Sequence, residues 1–252
     1  MGCLKGKTAI ITGASSGIGK ATALQLAREG CNVVLVARRR EKLAMLRDFI
    51  IDDGGSCEFV CADITSEEDV RRVFSETERL FGSVDLLINN AGRGLKAELD
   101  EISLDEWNNT LAVNATGTFL CTRECVKAMR RLGTTEGRIV TVSSIVGLFP
   151  APGYAAYCAS KHCVTGFMRS VYFEAKKYGI KTASVYPARV NTEFFDRHGY
   201  SERPSSGQML SPAHVARHIV AICNGSPRRI AAAVFANIFH RIAGYFTLLT
   251  SK

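Results

Sequence analysis

The run Thr12-Gly13-Ala14-Ser15-Ser16-Gly17-Ile18-Gly19 narrows the possible folds more than any other stretch of this chain. It follows a buried-strand pattern, Thr8-Ala9-Ile10-Ile11, and precedes a helical one, Lys20 to Glu29. Glycines between a strand and a helix let the backbone turn tightly. Main-chain amides and a helix N-terminus then approach a phosphate closely. Such an opening predicts a parallel sheet that binds its ligand at the strand ends.

The same rhythm continues along the chain. Strand-like runs fall at Thr8–Thr12, Asn32–Ala37, Ser56–Cys61, Val84–Asn89, Gly137–Ser143 and Lys181–Tyr186. Helical patterns lie between them at Gly17–Glu29, Glu41–Asp53, Ser66–Phe81, Leu104–Arg131 and Tyr154–Tyr178. This alternation predicts an α/β doubly wound parallel sheet with helices on both faces. With 252 residues, 46% of them apolar, one domain accounts for the whole chain. Ser211-Pro212 supplies an N-cap and an N1 proline for a further helix, Ala213–Cys223.

Two stretches break the rhythm. Residues 193–212 are rich in Gly, Ser, Pro and aromatics and follow a strand end, so they are expected to form a lid over the ligand site. Residues 228–252 are apolar with basic punctuation, and His240 and Arg241 leave the apolar run too short to span a membrane. A final strand and a packed or interfacial helix are expected there.

The nine cysteines form no Cys-x-x-Cys pair and have no histidines at ligand spacing, so they are expected to be reduced thiols used as small apolar residues, with no metal site. No secretory signal precedes the first strand, and the expectation is a cytoplasmic protein. Peripheral membrane contact through the C-terminus stays open. The net charge of +8 comes without a long basic tract; an anionic cofactor or an acidic substrate fits it, and no nucleic-acid partner is expected.

A second chemical signal lies in Tyr154-Ala-Ala-Tyr157-Cys-Ala-Ser-Lys161. Tyr157 and Lys161, four apart, share one helix face, where the ammonium is expected to lower the phenol's pKa from about 10.

Together these motifs resemble the short-chain dehydrogenase/reductase family over nearly the whole chain. The family's Thr-Gly-x-x-x-Gly-x-Gly stands here as Thr12 to Gly19, and its Asn-Asn-Ala-Gly signature as Asn89 to Gly92. Asp63, with Ile64 beside it, matches the adenine contact, and Asn114, Ser144, Tyr157 and Lys161 fall in family order. The resemblance implies a Rossmann-type fold and a dinucleotide held by Gly13, Ser15, Ser16, Gly17, Ile18, Gly19, Asp63, Ile64, Asn90, Ala91 and Gly92. Tyr157, Lys161, Pro187, Val190 and Thr192 would complete that site. It also implies roles. Tyr157 acts as general acid or base, and Ser144 donates to the substrate oxygen. Lys161 lowers the phenol's pKa and bonds the nicotinamide ribose, while Asn114 holds a water linking Lys161 to solvent.

At the end of the second strand, NAD-binding Rossmann folds place an acidic residue against the ribose 2′-hydroxyl. Here Ala37 is followed by Arg38 and Arg39. A guanidinium grips a 2′-phosphate that a carboxylate would repel, so NADP(H) is expected. The basic residue that often precedes the second glycine in NADP-preferring members is replaced by Ser16, and the usual Pro-Gly after the sixth strand reads Pro187-Ala188. An altered loop that still binds cofactor is expected there.

Phe149 and Tyr154, with Phe194 and Met209 from the lid, are expected to join Ser144 and Tyr157 in the substrate pocket. That apolar wall suggests a 3-oxoacyl, steroid or other lipid-like ketone. Arg93 and Lys96 are candidates to meet an acidic group on it. Family members commonly form dimers or tetramers through their two long central helices. The alternative is a non-catalytic dinucleotide sensor on the same fold. Its expected mark, a damaged tetrad, is missing.

Overall fold

A computed structural model describes residues 4–196 and 209–225 of the protein. Six strands form one sheet: β1 (Thr8–Thr12), β2 (Asn32–Ala37), β3 (Ser56–Cys61), β4 (Leu86–Asn89), β5 (Arg138–Val142) and β6 (Lys181–Val185). All pairs are parallel, in the order β3-β2-β1-β4-β5-β6. The chain winds outward from β1 to β3, returns to β4 beside β1, and winds the other way. That reversal opens a crevice at the C-terminal ends of β1 and β4, where ligands bind in sheets of this kind.

Helices α1 (Gly17–Arg28), α2 (Arg40–Asp52) and α7 (Pro212–Cys223) cover one face; α3 (Glu67–Phe81), α5 (Gly117–Arg131) and α6 (Ala155–Lys176) cover the other. Strand β1 feeds both cores. Ala9 and Ile11 join Leu26, Leu43 and Ile219, while Ile10 joins Phe74, Leu120 and Met168. Burial on both faces is why the central strands β1, β2 and β4 read as nearly unbroken apolar runs. Each fully buried Leu or Phe contributes roughly 1.5–3 kcal/mol.

Helix ends follow local chemistry. The Ser66 side chain accepts from the Asp69 amide at the start of α3, and Gly82 ends that helix at φ +68°. Ser211 caps α7 with Pro212 in its first turn, as the sequence predicts.

One element differs from expectation. The single helix predicted over Leu104–Arg131 is broken into α4 (Leu104–Leu111) and α5 by a π-helical turn, Ala112–Thr116. The Gly117 amide bonds to the Ala112 carbonyl, so one extra residue is accommodated in that turn. The turn carries Asn114 into the interior, where it is 1% exposed.

Cys31, Cys57, Cys121, Cys125, Cys158 and Cys223 are buried and unbridged. Burial pushes the thiols of Cys31, Cys57, Cys121 and Cys223 up to about 12, so they stay protonated at neutral pH. Among the described residues no helix is long and apolar enough to cross a membrane. The strand and helix expected in residues 228–252, and residues 197–208 of the lid, lie outside the described residues.

Candidate active site

A cavity of about 690 Å³ runs along the C-terminal edge of the sheet, from the glycine turn to the Tyr157 ring. At its nucleotide end, Gly13 and Gly17 take positive φ, +65° and +57°. A Cβ on Gly13 would lie 2.8 Å from the Ala91 Cα, and one on Gly17 would lie 2.9 Å from the Thr192 Cγ2. Neither position admits a side chain. The Thr12 hydroxyl and the Asn90 amide hold the turn against β4. Thr12 Oγ1 accepts from the amides of Asn90 (3.0 Å) and Ala91 (3.1 Å), and Asn90 Nδ2 donates to the Thr12 carbonyl at 2.9 Å. These contacts press the glycine turn at the N-terminus of α1 against the end of β4.

The two arginines after β2 separate. Arg38 pairs with Asp63 at 3.4 Å and its side chain is 73% exposed. Arg39 turns inward, 28% exposed, and donates to Ser15 Oγ (3.0 and 2.7 Å) and Ser16 Oγ (2.7 Å). Asp63 also accepts from the Thr65 amide and hydroxyl, and Ile64 lies beside it on the cavity wall.

At the catalytic end, Tyr157 and Lys161 lie one turn apart on α6, both buried. Lys161 Nζ lies 5.8 Å from the Tyr157 ring centroid and donates to the Val142 carbonyl at 3.1 Å. Ser144 lies two residues past the end of β5, and its hydroxyl acts on the Tyr157 phenol, lowering its pKa. Close packing at Gly147 makes that reach possible. A Cβ there would be 2.8 Å from both the Lys161 carbonyl and Ser143 Oγ, so the turn after β5 lies directly on α6. Ser143, the neighbouring serine, shares its hydroxyl with Thr165 and the Lys161 carbonyl instead.

Asn114 ties the site together. Its Oδ1 accepts from the Arg93 amide at 2.8 Å, and its Nδ2 donates to the Arg93 carbonyl and to Ser160 Oγ, each at 2.8 Å. Ser160 in turn donates to the Tyr157 carbonyl at 2.7 Å. The π turn, the loop after β4 and the catalytic helix are thereby fixed to one another.

Electrostatics correct one expectation. Burial raises the Tyr157 pKa above its ordinary value of 10.0, against the lowering effect of the Ser144 hydrogen bond. Burial also lowers Lys161 from 10.5 to about 8. Loss of water is the largest cause for both groups, and the Lys161 ammonium faces the Tyr157 ring and the Val142 carbonyl.

The wall beyond the phenol is apolar. Tyr154 lies 6.5 Å from the Tyr157 ring and Phe194 lies 5.6 Å from it, centroid to centroid. Ile145, Val146, Ala151 and Val113 also line the cavity, together with the polar Arg93 and Asn109. Phe149 and Met209, expected there, do not line the cavity. Phe149 follows the short 3-10 turn Ile145–Gly147 and faces solvent, while Met209 precedes the backbone bridge between Leu210 and Val190. Pro187, Ala188, Val190 and Thr192 line the cavity, and no non-glycine among the described residues has positive φ, so Ala188 is accommodated without strain.

A family model described as short chain dehydrogenase matches residues 7–202. The chain belongs to the short-chain dehydrogenase family. It is thus an oxidoreductase acting on alcohol and ketone groups. A 3beta-hydroxysteroid dehydrogenase of Mediterraneibacter gnavus is 36% identical over 198 residues, covering 78% of this chain and 71% of that protein. A 3-ketoacyl-(acyl-carrier-protein) reductase from Brucella melitensis, solved with NADH, superposes with a TM-score of 0.80 at 30% identity, covering 90% of this chain and 93% of the other. An alcohol dehydrogenase from Thermococcus sibiricus, solved with 5-hydroxy-NADP, gives a TM-score of 0.78 at 26% identity, covering 86% and 90%.

Sequence reasoning passed over one dehydrogenase residue at the nucleotide end. Glu193, the first residue of the turn Glu193–Asp196, lines the cavity and reaches Arg39 at 2.7 Å and Lys42 at 2.7 Å. No motif marks it, because 154 residues separate it from Arg39.

Proposed function

We propose that this dehydrogenase uses NADP(H) to interconvert a ketone and a secondary alcohol on a hydrophobic substrate, such as a 3-oxoacyl, steroid or other lipid-like compound. The observation that carries the reading is that the Ser144–Tyr157–Lys161 cluster and the glycine cradle share one cavity. The cradle is filled by any added Cβ, which is the fit a dinucleotide backbone requires. Gly13, Ser15, Ser16, Gly17, Ile18 and Gly19 would hold the phosphates, with Thr192 beside them. Arg38 and Arg39 would hold the 2′-phosphate, Asp63 and Ile64 the adenine, and Asn90, Ala91, Gly92, Pro187, Val190, Tyr157 and Lys161 the nicotinamide half. When bound, the reduced cofactor supplies a hydride.

The protein's own residues manage the proton. In the reducing direction the Tyr157 phenol gives its proton to the substrate oxygen, and Ser144 donates a hydrogen bond to that oxygen as negative charge builds. A buried phenol raised in pKa is fully protonated before the reaction, as a general acid must be. Lys161 stabilises the phenolate left behind, and Asn114 holds the Gly92–Arg93 loop and a water leading from Lys161 to solvent.

Preference for NADP(H) is supported by Arg39. Its guanidinium reaches both Ser15 and Ser16, so it stands where the basic residue before the second glycine is missing. The apolar ring of Tyr154, Phe194, Ile145 and Val146 supports a lipid-like substrate. Arg93 lines the same wall with its buried Nε unpartnered among the described residues, and would serve a second polar group. Exposed Phe119 on α5 and Tyr172 and Phe173 on α6 support a homodimer or homotetramer joined through those helices.

The test is NADPH consumption against medium-chain ketones, 3-oxoacyl thioesters and steroid ketones, for wild type and Tyr157→Phe. Wild-type turnover lost in the variant supports the reading. Equal turnover in both proteins rejects the tyrosine mechanism, and NADPH binding without any turnover favours a dinucleotide sensor.

A further inference from the structure

The cations at the end of β2 already hold an anion from the protein itself. Arg39 places Nη1 on Glu193 Oε2, and Lys42, three residues further along in the first turn of α2, places Nζ on Glu193 Oε1, each at 2.7 Å. The carboxylate thus bridges two cations with its two oxygens, as a phosphate would. Both partners hold Glu193 well below the usual carboxylate range, at about 2, with the Lys42 contact the larger cause and Arg39 next. It therefore remains an anion at any physiological pH.

Two details set this pair apart from an ordinary surface ion pair. Ser15 and Ser16 hold the other edge of the Arg39 guanidinium, so the arginine keeps its position if the carboxylate leaves. Glu193 also sits between two residues anchored in the cavity. Thr192 packs against Gly17 of the cradle, and the Phe194 ring packs on Gly94 and beside the Tyr157 ring.

We propose that Glu193 is an internal counter-anion that competes with the cofactor's 2′-phosphate for Arg39 and Lys42, and so sets how strongly the enzyme prefers NADP(H) over NAD(H). A 2′-phosphate arriving at these cations must displace a carboxylate already in place, or sit beside it and be repelled. NAD(H), with a hydroxyl there, leaves the pair intact. Glu193 thereby reduces the selectivity that Arg39 alone would give and keeps the unphosphorylated cofactor usable. The inference rests on the NADP(H) reading above.

Titration calorimetry of the full chain with NADPH, NADH and adenosine 2′,5′-bisphosphate tests it on wild type, Glu193→Gln, Glu193→Ala and Arg39→Ala. Removing the competing charge is expected to tighten NADPH and the bisphosphate about tenfold and NADH less than about twofold, in both Glu193 variants. Unchanged or weakened NADPH binding in both variants, with Arg39→Ala still losing NADPH, overturns the competition and leaves the cofactor reading standing. Wild type binding NADPH no tighter than NADH, with Arg39→Ala unchanged, overturns both.

Discussion

Lys161 reaches past the Tyr157 ring to give a hydrogen bond to the Val142 carbonyl at the end of β5, 3.1 Å away. Helix α6 is thus tied to the strand that leads to Ser144, by the buried Lys161 ammonium. A buried ammonium has a cost, and that cost depends on pH.

With its folded pKa near 8 against 10.5 when exposed, Lys161 binds fewer protons in the folded state between those values. Its contribution to stability therefore rises with pH across that window, by about 3 kcal/mol at 1.36 kcal/mol per unit. Buried cysteines and Tyr157 act oppositely above their ordinary pKa values of 9.0 and 10.0. The measurable quantity is the stability of Lys161→Met minus that of wild type, by urea unfolding. It is expected to be more positive at pH 7 and to shrink toward pH 10. A difference independent of pH would mean that the lysine is not desolvated.

Tyr157→Phe is expected to keep the fold and lose about 10²–10⁴-fold in kcat, the usual contribution of a positioned acid. Ser144→Ala is expected to lose about 10²–10³-fold. Cofactor titration alongside steady-state rates separates these losses from weakened binding.

Arg39 and Arg38 are predicted to differ. Arg39→Ala is expected to weaken NADPH about 10–100-fold, the value of a charge-assisted hydrogen bond at roughly 1.5–3 kcal/mol. Arg38→Ala should cost several-fold less, since that side chain is mostly exposed and shared with Asp63. Equal losses in the two variants would contradict the inward placement of Arg39.

Gly147→Ala would put a methyl 2.8 Å from the Lys161 carbonyl, a backbone atom that cannot step aside cheaply. The expected cost is about 1–3 kcal/mol of stability. A fall in kcat should accompany it, because Ser144 would be pushed away from the phenol. Thermal melts and rates on the same preparation would show both effects together or reject the argument.

The sheet was legible because parallel strands buried on two faces leave unbroken apolar runs between glycine-marked turns, as in Asn32–Ala37. The tetrad was legible because Tyr157 and Lys161 are separated by one helical turn. The π turn at Ala112–Thr116 was hidden, since one extra residue barely disturbs helical periodicity over a long segment. Phe149 and Met209 looked like pocket residues from their apolar character, but the direction of a side chain in a loop follows from backbone bridges that composition does not encode. The Arg39–Glu193 pair joins residues that only the folded topology brings together.

Val190 and Leu210 pair as a short parallel bridge. The Leu210 amide donates to the Arg189 carbonyl, and the Asn191 amide donates to the Leu210 carbonyl, both at 2.9 Å. Both bonds are made by main-chain groups, which any non-proline residue supplies. The join between the loop after β6 and the start of α7 therefore does not depend on which side chains stand at Asn191 and Leu210, and substitutions there are expected to leave it in place.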